Sequence, residues 1–284
     1  MKIYQFITTC LLIFTFLGCA DNDDSYDFFI VGHAYGHPQG LNRGLHPAFV
    51  NQIDFINNEK SIELGIFTGD ILRCRRPVCV DRVKQQLSLL DMPVHIAPGN
   101  HDLYQNFETD FNDYFYSFVH KGDLFIILSP GLDNWNITNN QLTFLEKTLA
   151  NNKETTRRAF VFMHELIWWS PEEYPEIKIN YAENYPGETN FGTQIMPLLL
   201  SFQKRVYLFA GDLGCTKYVS QYMMQDTANI TLMASGIGSN TKEYYLRVKV
   251  SHENPTIELI SLNNSTKMPN IKSVKLANKT YNYF

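Results

Sequence analysis

A chain of 284 residues, 44% of them hydrophobic, holds enough apolar material for one sizeable core and does not demand two domains. Its formal charge of −5 argues against a dedicated nucleic-acid binder, which depends on a basic face. No internal repeat stands out.

The N-terminus reads MKIYQFITTCLLIFTFLGCA, with Lys2 ahead of an apolar run that stops at Gly18-Cys19. That is the pattern of an export signal; the run is short for a membrane span and carries Gln5, Thr8 and Thr9. Its end, Phe16-Leu17-Gly18-Cys19, resembles the bacterial lipoprotein signal. The resemblance implies that residues 1–18 are removed and that Cys19 becomes a lipidated N-terminus. Residues 19–26 then form a polar tether, and the protein is anchored to a membrane of the cell envelope, facing the periplasm or the cell surface.

Next in order, DFFIVG (Asp27 to Gly32) reads as a buried strand. HPAFVNQIDFINNEK places Phe49, Ile53 and Ile56 at helical spacing. LGIFTGD is a second strand, VDRVKQQLSLLD a helix, and PVHIAPGNHD a third strand with its loop. This β-α-β-α-β start predicts a sheet with helices on its faces. YFYSFVHKGDLFIILS reads as a hairpin around Lys121-Gly122-Asp123. TNNQLTFLEKTLANN reads as a helix capped by Thr138, with Leu142, Leu145 and Leu149 on one face. RRAFVFMHE is a strand, IMPLLLSFQ a helix and RVYLFAGDLG a strand with a loop; ITLMASGIGS, YYLRVKV and TIELISL make a β-rich end. Residues 27–262 form the predicted domain, and 263–284 a tail or edge strand.

Of five cysteines, Cys10 leaves with the signal and Cys19 takes lipid. Cys74 and Cys79 flank the loop RCRRPVC, where a disulfide and two free thiols are both open. Cys215 reads as a small core residue.

The functional signal lies where strands stop. DFFIVG ends in His33-Ala34-Tyr35-Gly36-His37, LGIFTG in Asp70, PVHIAPG in Asn100-His101-Asp102, RRAFVFM in His164 and RVYLFAG in Asp212. Each strand finishes in a group able to bind a metal or move a proton, at the strand end where open α/β sheets bind ligands. The series resembles the calcineurin-like metallophosphoesterases, through Gly69-Asp70, Gly99-Asn100-His101-Asp102 and His164. The resemblance implies a mixed α/β (α+β) fold, a two-layer β-sandwich flanked by helices. It implies one or two divalent metal ions, manganese, iron or zinc, that activate water against the phosphorus of a phosphomonoester or phosphodiester.

In the family the first element reads Asp-x-His and the last His-x-His; here they read His33-Ala34-Tyr35 and Asp212-Leu213-Gly214. On the family pattern, one metal keeps Asp70, Asn100, His164 and Asp212, and the other is left with His33, Tyr35 and the bridging Asp70. Tyrosinate ligands occur in purple acid phosphatases of the same superfamily, though from another sequence element. His101 would reach the phosphate and the leaving oxygen, and Asp102 would hold the His101 ring. Arg73 is a candidate phosphate contact beside a reading as a surface residue, and His37 reads as a loop residue. Trp168, Trp169, Tyr174 and Tyr181 follow His164 in a long aromatic segment and form either a cap over the substrate or a packed cluster. The competing reading is a surface lipoprotein without catalysis, using the same cleft to bind a glycan or a protein partner.

Overall fold

Side chains alternate across a strand, and in β1 (Tyr26–Gly32) both faces are apolar from Phe28 to Val31. Phe28 and Ile30 enter one buried cluster, Phe29 and Val31 another. A strand buried on both faces belongs between two layers. The computed structural model, which describes residues 24–238 and 243–263, contains those layers.

From β1 the chain runs through α1 (Pro47–Val50) and α2 (Ile53–Asn58) to β2 (Ile62–Thr68), then through α3 (Pro77–Leu87) to β3 (Val94–Ala97). A short α4 (Phe107–Asp110) leads to the hairpin β4 (Tyr116–His120) and β5 (Asp123–Ile127). There follow α5 (Asn139–Asn152), β6 (Ala159–Phe162), α6 (Met196–Ser201) and β7 (Val206–Ala210). The end is β-rich: β8 (Tyr222–Thr227), β9 (Ile230–Ser235), β10 (Tyr244–Val250) and β11 (Thr256–Ser261). A 5-stranded sheet has the order β11-β10-β1-β2-β3, and a 6-stranded sheet the order β4-β5-β6-β7-β9-β8. The β1–β2–β3 and β5–β6–β7–β9 pairings are parallel, so their carboxyl ends point the same way within each sheet.

Aromatic side chains glue the sheets together. The Phe28 ring lies 5.4 Å from Phe125 and 5.1 Å from Phe160, both edge-on. The outer face of the first sheet buries Phe29 and Phe67 with Phe49, Ile53 and Val83 from the helices beside it. The outer face of the second buries Val161 and Leu208 with Leu145, Leu149 and Leu199. The expected helix-flanked β-sandwich is the observed fold.

Local details differ from the sequence reading. The helix predicted through Phe49, Ile53 and Ile56 buries all three but breaks at Asn51-Gln52, where the buried Gln52 amide donates to the Leu262 carbonyl at 2.8 Å. Thr138 is the N-cap residue of α5 as expected, but its hydroxyl donates to Asp133 at 2.8 Å instead of capping a helix N–H. Strand β8 was not predicted from the sequence. Lys121 and Gly122 adopt φ of 43° and 78°, as a two-residue hairpin turn requires. Cys74 and Cys79 form a disulfide, and Cys215 is a buried free thiol. Among the described residues no helix is long and apolar enough to cross a membrane; Cys19 and the signal segment lie outside them.

Candidate functional site

The candidate residues meet where the carboxyl ends of both sheets converge. His33, Asp70 and the Asn100–Asp102 loop follow β1, β2 and β3 of the first sheet; His164 and Asp212 follow β6 and β7 of the second. Glycine makes the approach possible. A Cβ on Gly99 would lie 2.4 Å from Asp70 Oδ1, and one on Gly69, whose φ is 82°, would lie 2.4 Å from His164 Nδ1. His33 and Asp70 take φ of 48° and 53°, a left-handed backbone rarely adopted by residues other than glycine and concentrated at functional sites.

Four buried side chains form a chain of near contacts. His33 Nε2 is 3.5 Å from Asp70 Oδ2, and His164 Nε2 is 3.5 Å from Asp70 Oδ1 and 3.6 Å from Asp212 Oδ1. Asp70 thus presents one carboxylate oxygen to each imidazole. The other ring nitrogens face backbone carbonyls: His164 Nδ1 lies 2.9 Å from Thr68 O, and His33 Nδ1 3.1 Å from Ile237 O. A carbonyl only accepts, so each Nδ1 carries a proton and donates. Both Nε2 atoms are buried without a hydrogen-bond partner.

The electrostatics favour positive charge between these groups. Burial penalises a charged Asp70, yet His164, then His33 and His101, hold it below the ordinary carboxylate range. Burial opposes a charged His164 too, but Asp70 and Asp212 raise it well above an ordinary histidine. A proton at Nε2 and a metal ion therefore compete for one position. Burial pushes His33 down to about 4 despite Asp70, keeping its imidazole neutral at pH 7. Burial raises Asp212 to about 6 against the pull of His164.

Among the described residues no group of three or more His, Cys, Asp or Glu closes into a ready metal cage. The donor set nonetheless fits a divalent cation. Two buried nitrogens make no hydrogen bond to the carboxylates beside them, and their tautomers are fixed by backbone. A divalent cation would supply the missing partner for both nitrogens and draw such pairs together. His33, Asp70, His164 and Asp212, with the Asn100 side chain at the edge of the adjoining cavity, are the residues able to hold it.

One expected role is corrected. Asp102 does not hold the His101 ring. Its buried carboxylate accepts from the backbone N–H groups of Gly99 (2.9 Å), Leu72 (2.9 Å) and Ile71 (3.3 Å), which ties the Asn100–His101 loop to the Asp70 loop. Burial, then Asp70, raise this carboxyl to about 7 against those bonds. Tyr35, expected as a metal ligand, has its hydroxyl 3.5 Å from His101 Nε2. Burial, then Asp70, push its phenol well above the ordinary range.

Arg73 is occupied by the Pro38 carbonyl at 3.0 Å. Arg75, which the sequence did not single out, donates to the carbonyls of Asn100 (2.6 Å) and His101 (3.1 Å). The His37 ring accepts from Gln39 N–H, a loop role. Of the aromatic segment, Trp168, Trp169 and Tyr174 are buried, with Trp169 Nε1 donating to the Ile177 carbonyl at 3.0 Å, so they pack rather than cap. Tyr181 is 44% exposed and lines a cavity of about 320 Å³ beside Asp212 and Asn100. Glu165 lines the same cavity. The sequence did contain a signal for it: a charged residue directly before the apolar run Leu166-Ile167-Trp168-Trp169.

The pattern of the calcineurin-like phosphoesterases matches residues 15–219. The chain belongs to this family. Over 180 residues it is 28% identical to the probable glycerophosphodiester phosphodiesterase GpdQ of Arcobacter nitrofigilis, covering 58% of this chain and 62% of that protein. The match thus spans less than two thirds of that phosphodiesterase. Purple acid phosphatase PPD1 from yellow lupin (Lupinus luteus) seeds superposes with a TM-score of 0.62 at 15% identity, over 86% of this chain and 52% of that one. GAP50, the anchor in the inner membrane complex of Plasmodium, superposes with a TM-score of 0.58 at 12% identity, over 90% of each chain. Both likenesses are likenesses of fold.

Proposed function

We propose that this phosphoesterase-family protein is a metal-dependent hydrolase of phosphate esters with an altered ligand set, phosphodiesters being the favoured class. The observation behind the reading is the pair of buried, unpartnered Nε2 atoms on either side of the Asp70 carboxylate. His33, Asp70, Asn100, His164 and Asp212 would hold one or two divalent ions. When bound, such ions neutralise phosphate oxygens and make water nucleophilic at neutral pH. His101, half-buried and steadied by the Tyr35 hydroxyl, protonates the leaving oxygen. Asp102 and Arg75 hold the loop that presents His101. The name of the Arcobacter relative supports the choice of phosphodiesters.

The test loads the purified protein with manganese, iron or zinc and assays bis(p-nitrophenyl) phosphate and p-nitrophenyl phosphate. Turnover with at least one metal is expected. His101→Ala should lower it roughly a hundredfold or more for a poor leaving group, less for p-nitrophenol, with metal content retained. Silence with every metal and both esters would overturn the hydrolase reading.

The same reading places the protein in the cell envelope, lipid-anchored through Cys19. Cys19→Ala should abolish fatty-acid labelling and membrane retention; labelling that persists in the variant would refute the anchor.

A further inference from the structure

The Glu165 carboxylate is 1% exposed, and neither oxygen has a hydrogen-bond partner. A buried carboxylate left this way is costly, so a fold that keeps one needs a reason beyond stability. Its surroundings make room for it. Gly131 packs so closely that a Cβ there would lie 2.5 Å from Glu165 Oε1. Among the described residues no arginine or lysine lines the cavity that Glu165 borders, and the positive influence on it comes from its chain neighbour His164.

That cavity has a second unsatisfied group of opposite kind. Asn180 is fully buried, its Oδ1 is taken by the Cys215 N–H at 3.0 Å, and its Nδ2 donor makes no hydrogen bond of ordinary geometry, although the side chain bears on the neighbouring Asp212 carboxyl. The same walls include Asn100 and Asp212. One site thus offers unpaired acceptors and an unpaired donor within reach of the proposed metal ligands. An ammonium group would answer the acceptors and leave the Asn180 donor unmet. A hydroxyl both donates and accepts, and two adjacent hydroxyls can use both carboxylate oxygens. The volume of about 320 Å³ suits a small phosphate ester rather than a polymer chain.

We propose that Glu165 and Asn180 form a subsite for a vicinal diol on the alcohol part of the substrate. The inference rests on the phosphoesterase reading for the position of the phosphate; the diol is read from the unpaired atoms alone. A site built around hydroxyl groups discriminates strongly against analogues that lack them, because its own polar atoms are then stranded.

Calorimetry with glycerol 3-phosphate and propyl phosphate tests the subsite without turnover. The wild type should bind glycerol 3-phosphate at least about tenfold more tightly. Glu165→Leu should bring the ratio close to one, and Glu165→Gln, nearly isosteric, should retain part of it. Asn180→Asp keeps the acceptor for Cys215 N–H, removes the donor and should also reduce the ratio. Melting curves identify any variant that is not folded, and the two isosteric changes keep the test decisive if Glu165→Leu fails. Ribose 5-phosphate against its 2,3-dideoxy counterpart distinguishes a sugar diol from a glycerol chain; preference in either pair supports the subsite. Equal affinities in both pairs, an unchanged ratio in folded Glu165 variants, or tighter binding of 2-aminoethyl phosphate would overturn it. A diol preference in a protein that turns over no ester would leave the subsite standing and remove the hydrolase reading.

Discussion

His164, at the end of β6, is oriented across the sandwich by Thr68, the last residue of β2: its Nδ1 lies 2.9 Å from the Thr68 carbonyl oxygen. One sheet thus fixes the tautomer of a proposed ligand carried by the other. His164→Ala removes the nitrogen shared between Asp70 and Asp212 and should cut the metal content of dialysed protein at least about tenfold, read by elemental analysis. Full metal content in this variant would remove His164 from the ligand set.

The outer elements carry an apparent exchange, His33 where the family has Asp and Asp212 where it has His. Both are buried, and each stands within 3.6 Å of another candidate ligand. His33→Ala and Asp212→Ala should each lower metal affinity, Asp212→Ala more, because it also removes a negative charge. The double change His33→Asp with Asp212→His preserves the carboxylate count. It should retain more metal than Asp212→His alone, since coupled sites are not additive. Identical metal titrations for the wild type and all four variants would exclude both residues.

Arg75 should act through position rather than chemistry. It bonds the Asn100 and His101 carbonyls from inside the loop closed by Cys74 and Cys79. Arg75→Ala should reduce kcat/KM by roughly tenfold, in keeping with misplacement of a catalytic group, while the pH profile keeps its shape. Reduction of the disulfide should cause a similar loss in the wild type and little further loss in the variant. Independent, multiplicative losses would separate the disulfide from the Arg75 clamp.

Acid stability should depend on His95, which is outside the candidate site. Burial, then nearby His120, lowers it from 6.5 to about 4; its Nδ1 pairs with the Tyr116 hydroxyl at 2.9 Å, and the ring stacks on Phe118. The unfolded chain binds this proton more readily than the folded one, so protonation favours unfolding. His95 therefore contributes fully above pH 6.5 and loses that contribution as pH falls through about 4. Because His33 shares the window, the measurement is a difference: urea unfolding from pH 7 to 4 should show a shallower loss in His95→Gln than in wild type. Parallel curves would contradict it.

The residues that strand ends deliver were legible in the sequence, because an apolar run stopping at His33, Asp70 or Asp212 places that residue at a sheet's edge. Burial and partnership were not. Asp102 looked like a support for its neighbour His101, yet its carboxylate satisfies three backbone N–H groups. The contact of the Tyr35 hydroxyl with His101 was equally invisible in the sequence. Strand β8 escaped because Tyr-Met-Met-Gln-Asp-Thr lacks a run of β-branched residues; it buries Met223 and Gln225 by alternation alone. Glu165 escaped because a missing partner becomes visible only when the surroundings are complete.

The pairing of β1 with β10 has a consequence for biosynthesis. By Asp212 every proposed ligand has been made, from His33 onward. At that point β1 still lacks its antiparallel neighbour, and His33 lacks the Ile237 carbonyl that fixes its ring. Such distant pairings close late, after the ends of a long loop have met. A nascent chain therefore holds all the donors well before it holds a site. Ligand capture belongs to the finished molecule, after β10 and β11 have completed the sheet on which the first donor stands.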